Sequence, residues 1–176
     1  MTTSETSSAV KEEPAKRVFR PSSVVQGSDE RPKLPTHQTV PSFVLFGDAA
    51  QPAANPNFAE AISSGLAVGA VYRLMIVLDI TQKEILELLN ITSSTFNRRK
   101  RLGILQTSES DRVFRYARLA GRAVEMFHGD DESACQWLKT PAPYFKGDAP
   151  LSVAKTEYGA RQVEDLIGRI RHGVPS

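Results

Sequence analysis

The spacing of apolar residues along the chain becomes helical after residue 57. From that point, apolar residues recur at intervals of one and four positions, as on one buried face of a helix. These residues are Ala61, Ile62, Leu66, Ala70 and Leu74. The preceding segment, 1–57, contains seven of the eleven prolines and no sustained helical or strand period. We therefore expect residues 1–57 to form a flexible, largely irregular N-terminal arm.

A short apolar run, VPSFVLFG at residues 40–47, interrupts this polar segment. Such a run is compatible with a strand or with a segment that docks on the folded part of the chain. Short apolar runs are weak signals, however, so a linker with an apolar spot is the favoured interpretation.

Two short helices are predicted between residues 81 and 102. Thr81 is a natural N-cap, and Glu84, three positions later, completes a capping box ahead of an apolar stripe. This helix should end near Asn90. Ser93 is a second candidate N-cap, for a helix 94–101 that Gly103 can terminate in the left-handed conformation. Two short helices separated by a three-residue turn are typical of a helix-turn-helix.

Three further helices are predicted in the C-terminal part. The first spans 111–127 behind the capping signature Ser108-x-x-Asp111. The second spans 131–138 and ends before Thr140-Pro141. The third spans 156–171, with an apolar face formed by Val163, Leu166, Ile167 and Ile170. No segment alternates with a period of two, so the fold is predicted to be all-α, with a helix-turn-helix domain at 58–106 and a small helical C-terminal domain at 107–176.

The second helix of the helix-turn-helix has its charged residues on one side. With about 100° per residue and Phe96 as the inward anchor, Arg98 and Arg101 lie near the opposite face, together with Ser94, and Asn97 lies beside them. Arginine and asparagine can read base edges, and hydroxyls can bind phosphates. The alternative is a solvated basic helix end. We predict that this helix contacts DNA through Ser93, Ser94, Thr95, Asn97, Arg98, Arg99, Lys100 and Arg101.

The charge distribution supports two different partners. Residues 81–122 hold nine basic and four acidic groups, whereas 123–176 hold six basic and eight acidic groups. A basic region gains affinity for DNA by displacing counterions from phosphates. A second basic stripe consists of Arg112, Arg115, Arg118 and Arg122. It could extend the phosphate contact, but pairing with acidic residues is favoured. The candidate acidic partners are Asp130, Asp131, Glu132, Glu164 and Asp165.

The sequence offers no support for an enzyme, a metal site or a cofactor site. Cys135 is the single cysteine, and His128 has no second histidine or cysteine at ligand spacing. There is no Gly-rich phosphate loop and no nucleophile elbow, so no catalytic residue is assigned. The apolar stretch 65–78 contains Arg73 and is shorter than the roughly 20 residues that a membrane helix needs. The N-terminus lacks a secretory pattern, so a cytoplasmic protein without membrane contact is expected.

Several short motifs follow one another along residues 104–174. They are Glu109-Ser110-Asp111-Arg112, a helix end at Phe127, Trp137-Leu138-Lys139-Thr140-Pro141, Pro150-Leu151, Thr156-Glu157-x-Gly159 and VEDLIGRIxHG at 163–173. Together they resemble the C-terminal domain of the Xre/MbcA/ParS antitoxin family. The motif SSTFNRR at 93–99 is similar to that family's helix-turn-helix. Residues 152–155 depart from the family, whose members tend to be Leu-rich there.

The resemblance implies an antitoxin that blocks a RES-domain toxin, an enzyme that destroys NAD, by covering the entrance of its NAD-binding pocket. It also implies repression of the antitoxin's own promoter. A helix-turn-helix reaches two half-sites as a symmetric dimer, so a homodimer is expected. The toxin-binding residues that the resemblance implies are Trp137, Lys139, Tyr144, Phe145, Lys146, Glu157, Arg161, Glu164, Arg169, Arg171 and His172. The alternative is a transcription regulator that acts without a toxin.

Overall fold

The computed structural model describes residues 40–47 and 57–173, and these residues are helical, with no strand among them. The helices are α1 (Val40–Phe46), α2 (Phe58–Ser64), α3 (Gly69–Leu78), α4 (Gln82–Leu88), α5 (Ser93–Leu102), α6 (Thr107–Met126), α7 (Asp131–Lys139), α8 (Pro150–Val153) and α9 (Glu157–Arg171). A single 3-10 turn, Pro143–Phe145, lies between α7 and α8. The prediction of an all-α fold is confirmed. None of the helices in the described part has the length and apolar character needed to cross a membrane.

Helix α1 corrects the interpretation of the apolar run at 40–47 as a linker. Val40 and Val44 are fully buried in the common core, and α1 packs on α3 and α6. Arg73 of α3 donates from Nε to the carbonyl oxygen of Val44 at 2.9 Å and from Nη2 to that of Leu45 at 3.0 Å. These bonds satisfy carbonyls that the end of a helix leaves without partners. Residues 1–39 and 48–56 lie outside the described part of the chain.

The apolar face predicted from Ala61 to Leu74 belongs to two helices instead of one. Gly65 ends α2 with a φ of 90°, and Leu66 and Val68 connect it to α3. A Cβ at Gly65 would overlap the carbonyl oxygen of Leu105. The chain therefore breaks here because the backbone after α5 packs directly against it, a contact that helical periodicity does not reveal.

The helix-turn-helix is formed by α4 and α5. Thr81 and Glu84 make the predicted capping box, with the Thr81 N–H donating to Glu84 Oε2 at 2.7 Å. The N-cap of α5 is Thr92, one residue before the predicted Ser93, and its hydroxyl accepts the N–H of Thr95 at 3.1 Å. Gly103 ends α5 in the left-handed conformation, with a φ of 77°, as predicted.

Helix α6 is the centre of the fold and packs on α1, α2, α3, α7 and α9. It begins at Thr107, four residues before the predicted start, because Glu109 caps it: Oε2 of Glu109 accepts the N–H of Gln106 at 2.8 Å. Tyr116 is fully buried, and its hydroxyl lies 3.4 Å from the carbonyl oxygens of both Leu88 and Leu151. The helix-turn-helix and the C-terminal helices therefore share one apolar core.

The C-terminal helices pack against both α6 and the end of α3. Cys135 of α7 is buried, and its thiol lies 2.9 Å from the carbonyl oxygen of Val77. Helix α9 begins with Gly159 packed against the backbone of Val153 in α8. Ile170 was predicted to face inward but is 46% exposed, because the last turn of α9 extends beyond the buried residues Val163, Leu166 and Ile167.

Candidate functional site

Helix α5 presents a polar, basic face to solvent and a single aromatic anchor to the core. Phe96 is fully buried and its ring centre lies 5.9 Å from that of Tyr72 on α3. The side chains predicted to face outward are all exposed: Ser94, Asn97, Arg98 and Arg101. The predicted division of this helix into two faces is confirmed, whereas contact with DNA remains a prediction.

The residues that flank this face are placed differently from one another. Ser93 is exposed in the first turn of α5. Thr95 is half-buried, and its hydroxyl lies 3.0 Å from that of Thr92. Lys100 is exposed, and its ammonium lies 5.3 Å from the centre of the Phe96 ring. Ser93 and Lys100 remain accessible to a phosphate backbone.

Arg99 is the one predicted DNA contact that the structure corrects. Its residue exposure is 5%, and its Nε donates to both carboxylate oxygens of Glu109, at 3.0 and 2.7 Å. Arg99 follows Phe96 by three residues, so it lies on the same side of the helix as the anchor. That spacing was the available signal for burial, and Arg99 lies inside the structure instead of on the exposed face of α5.

The arginine stripe of α6 pairs within the chain, the favoured one of its two predicted roles. Arg115 Nε donates to Glu157 Oε2 at 3.0 Å, and Arg118 donates to Glu164 Oε1 at 2.7 Å and to Glu157 Oε1 at 3.2 Å. Partial burial would raise the pKa of Glu157, but the hydrogen bonds from Arg115 and Arg118 outweigh it and lower that pKa. The stripe therefore fastens α9 to α6.

The other members of the stripe also have partners inside the chain. Arg112 donates from Nη1 to the carbonyl oxygen of Leu89, at the end of α4. Arg122 pairs with Glu125 at 3.4 Å. Of the acidic partners predicted for the stripe, Glu164 is the one found. Asp130 instead caps α7, where it accepts the N–H of Ser133 at 3.0 Å.

Several predicted toxin-binding residues are engaged inside the described part of the chain. Lys139 reaches the carbonyl and carboxylate oxygens of Asp79, each at 3.1 Å. Phe145 is buried and Trp137 is half-buried against the core. Glu157 and Glu164 hold the arginines of α6, as described above. These residues support the surface rather than forming its most accessible part.

Other predicted residues form an exposed group on the 3-10 turn and α9. Tyr144 and Arg169 meet, with the guanidinium carbon 5.9 Å from the ring centre and Nη1 3.4 Å from the phenol oxygen. Lys146, Arg161, Arg171 and His172 are also exposed. Arg161 lies 3.6 Å from Glu157 and Arg171 lies 2.8 Å from Glu125.

Two exposed apolar residues of α9 were missed by the sequence analysis. Tyr158 is 73% exposed and Ile170 is 46% exposed. Tyr158 lies off the apolar face that contains Val163, about 140° away at 100° per residue, which was a signal that it points outward. With Tyr144 and Arg169, these residues give the C-terminal surface the aromatic, apolar and arginine side chains that protein interfaces favour.

No group of three or more His, Cys, Asp or Glu residues positioned to hold a metal ion occurs within 40–47 and 57–173. His128, the residue considered for such a site, is exposed in the turn after α6.

Comparison with known proteins assigns a domain to each of these surfaces. Residues 58–118 match the model of the antitoxin Xre-like helix-turn-helix domain, and residues 122–173 match that of the antitoxin Xre/MbcA/ParS C-terminal toxin-binding domain. The Antitoxin Xre of Photorhabdus laumondii is 32% identical over 163 residues, which cover 91% of this chain and 99% of the relative. The Antitoxin Xre of Yersinia enterocolitica is 35% identical over 116 residues, 65% of this chain and 78% of the relative.

A further relative carries a different name. The Prs ADP-ribosylating antitoxin of Sphingobium sp. is 26% identical over 121 residues, 64% of this chain and 76% of the relative. The two domain matches and the nearly full-length similarity to the Photorhabdus protein agree with the exposed helix α5 and the exposed C-terminal surface. The chain therefore belongs to the Xre/MbcA/ParS-type antitoxins of toxin–antitoxin systems, with a DNA-binding helix-turn-helix and a toxin-binding domain.

Proposed function

We propose that this antitoxin neutralises a RES-domain toxin that destroys NAD, by covering the entrance to the toxin's active site. The observation that carries the proposal is the exposed Tyr144–Arg169 pair, with Tyr158 and Ile170, inside the region that matches the toxin-binding domain. Tyrosine and arginine are enriched among the residues that dominate binding energy at protein interfaces. The contact between them holds both side chains in place before a partner arrives, which reduces the entropy lost on binding.

The expected contact set is smaller than the one implied by the sequence. Its members are exposed and lie on, or directly after, the 3-10 turn or α9: Tyr144, Lys146, Tyr158, Arg161, Arg169, Ile170, Arg171 and His172. Glu157 and Glu164 act one step away, because their bonds to α6 hold α9 in place.

Co-expression with the product of an adjacent gene that encodes a RES-domain toxin tests this role. Cells that make the toxin should keep their NAD when the wild-type antitoxin is present, and the two proteins should co-purify. The double variant Tyr144→Ala/Arg169→Ala should bind at least about tenfold more weakly. Lys83→Ala, which removes an exposed cation on α4, is the control and should behave as wild type. Equal loss of NAD with and without the wild-type antitoxin would refute the proposal.

A toxin that transfers ADP-ribose is a second candidate partner, favoured by the name of the Sphingobium relative. ADP-ribosyl transfer also consumes NAD, so falling NAD does not separate the two. NAD labelled in its ADP-ribose half does: a toxin that only degrades NAD would release labelled small products, whereas a transferase would leave the label on protein.

The same proposal includes repression of the antitoxin's own operon by a homodimer. The exposed face of α5 supports it, since two such helices can read half-sites one turn of duplex apart, about 34 Å. Repression places the protein with the chromosome, in the cytoplasm. A promoter reporter tests repression, a footprint tests binding to the operator, and light scattering tests the homodimer. A regulator that acts without a toxin would repress equally but co-purify with no product of the adjacent gene.

A further inference from the structure

We infer that Arg99 is a positioning residue for DNA recognition: held by Glu109 of α6, it sets the orientation of the recognition helix without touching DNA. The inference rests on the proposed binding of DNA by α5. It concerns a residue that the sequence pattern placed among the DNA contacts.

The geometry of the pair is that of an internal brace. Both side chains are 6% exposed, and the Arg99 Nε donates to the two oxygens of the Glu109 carboxylate. Glu109 Oε2 also accepts the N–H of Gln106, so the carboxylate is fixed to the first turn of α6. The Arg99 Nη2 is buried and donates to no group among the described residues. The bonds to Glu109 therefore come from Nε, while burial keeps Nη2 away from solvent.

The start of α6 is itself anchored to the rest of the helix-turn-helix domain. The Ser110 hydroxyl accepts the N–H of Leu66 at 2.9 Å and donates to the carbonyl oxygen of Gln106 at 2.9 Å. Arg99 is thus joined through Glu109 to a helix that cannot shift without breaking a buried bond. Arg98 is its neighbour in sequence, and Arg101 is two residues on, so any tilt of α5 moves both exposed arginines relative to the bases.

Positioning and direct electrostatics make opposite predictions for Glu109. Removing a negative charge beside a DNA-binding helix raises the net charge of the protein and should strengthen its attraction to phosphates. If Glu109 instead orients α5 through Arg99, its loss should weaken binding to the operator, although the protein has become more positive. Binding to unrelated DNA, which depends on charge alone, should be kept or should increase.

The experiment measures the affinity of the full chain for its operator and for unrelated duplex DNA over a series of salt concentrations. The variants are Glu109→Gln, Arg99→Met, Arg99→Lys and the double variant Arg99→Met/Glu109→Leu, with Arg98→Ala as the contact control. The double variant removes both buried charges together, which proteins tolerate better than the loss of one partner. Circular dichroism shows at which temperature each variant is fully folded, and binding is measured there.

The expected result is a fall of about tenfold in the ratio of operator to unrelated-DNA affinity for Glu109→Gln, Arg99→Met and the double variant. Arg99→Lys should recover part of the lost ratio, because the single nitrogen of the lysine side chain can replace Nε as the donor to Glu109. The slope of log affinity against log salt should be unchanged in Arg99→Met, whereas Arg98→Ala should reduce it by about 0.9 if Arg98 meets a phosphate.

Two results would overturn the inference. One is a reduced salt slope in Arg99→Met, which would make Arg99 a phosphate contact. The other is an unchanged or higher specificity ratio in the folded Glu109→Gln variant. Equal losses for both DNAs would leave that ratio unchanged, so they belong to the second result and would indicate destabilisation. Failure of the wild-type protein to prefer its operator would refute DNA recognition itself, a separate outcome.

Discussion

Replacing Gly159 with alanine should destabilise this antitoxin, whereas the same replacement at Gly168 of the same helix should stabilise it. Gly159 lies in the first turn of α9, where an added Cβ would overlap the carbonyl oxygen of Val153 and lie 2.8 Å from its carbonyl carbon. At Gly168 an added Cβ would meet no atom within 4 Å. The two positions therefore differ in packing, while the helix and the substitution are the same.

The size of the difference follows from the contact. Real Cβ atoms essentially never approach another atom closer than 3.0 Å, so the backbone of α8 would have to move by on the order of 1 Å, and overpacking of this kind costs about 1–3 kcal/mol. Alanine gains about 0.5–1 kcal/mol over glycine inside a helix. Gly168→Ala should keep that gain. In Gly159→Ala the cost of overpacking should exceed the gain, so the free energies of unfolding of the two variants should differ by on the order of 2 kcal/mol.

Urea unfolding followed by the fluorescence of Trp137 measures this gap. Trp137 is the single tryptophan of the chain, and its helix α7 contacts α8. The midpoint should fall for Gly159→Ala and rise for Gly168→Ala with little change in the m-value. Toxin binding should weaken in the first variant, because α9 begins at the displaced turn. A midpoint for Gly159→Ala equal to or above that of Gly168→Ala would refute the reasoning.

Three further predictions concern single side chains. Arg98→Ala should weaken operator binding by about 1–3 kcal/mol if Arg98 reads a base edge; unchanged affinity at fixed salt would remove it from the contact set. Hydrogen bonds from Arg115 and Arg118, outweighing burial, hold the pKa of Glu157 below its ordinary value of 4.5. The stability that these hydrogen bonds add is therefore present above pH 4.5 and lost as the pH falls through the lowered pKa. The unfolding midpoints of wild type and Glu157→Gln should accordingly differ near pH 7 and converge in acid. Thr81→Ala should cost about 1 kcal/mol by removing the cap of α4, and an unchanged melting temperature would contradict the capping role.

Features set by neighbours in sequence were predictable. The capping box of Thr81 and Glu84, the stop at Gly103 and the burial of Phe96 depend on residues within one or two turns, and the structure has all three. The proline at 141, which disfavours helix in the residue before it, likewise marks the end of α7 at Lys139.

Features set by distant contacts were not predictable from the pattern. The run at 40–47 is helical because α3 and α6 provide a surface for it and Arg73 accommodates its end. The break after Gly65 reflects the backbone of Leu105, forty residues away in sequence. For the candidate sites, the positions of residues around α5 identified its exposed face and placed Arg99 on the side of Phe96. They could not reveal that Glu109 would pair with Arg99, or that Glu157 would pair with two arginines of α6.

The central helix α6 has a consequence for how such antitoxins can diverge. The two family matches meet between residues 118 and 122, inside α6. A chimera joined there would combine half of a helix adapted to one core with half adapted to another, while Tyr116 would have to satisfy carbonyl groups from both parents. Recombination at this boundary should therefore produce few folded hybrids. Lineages that acquire a new operator or a new toxin should do so by successive surface substitutions on α5 or α9, with the shared interior inherited as a whole.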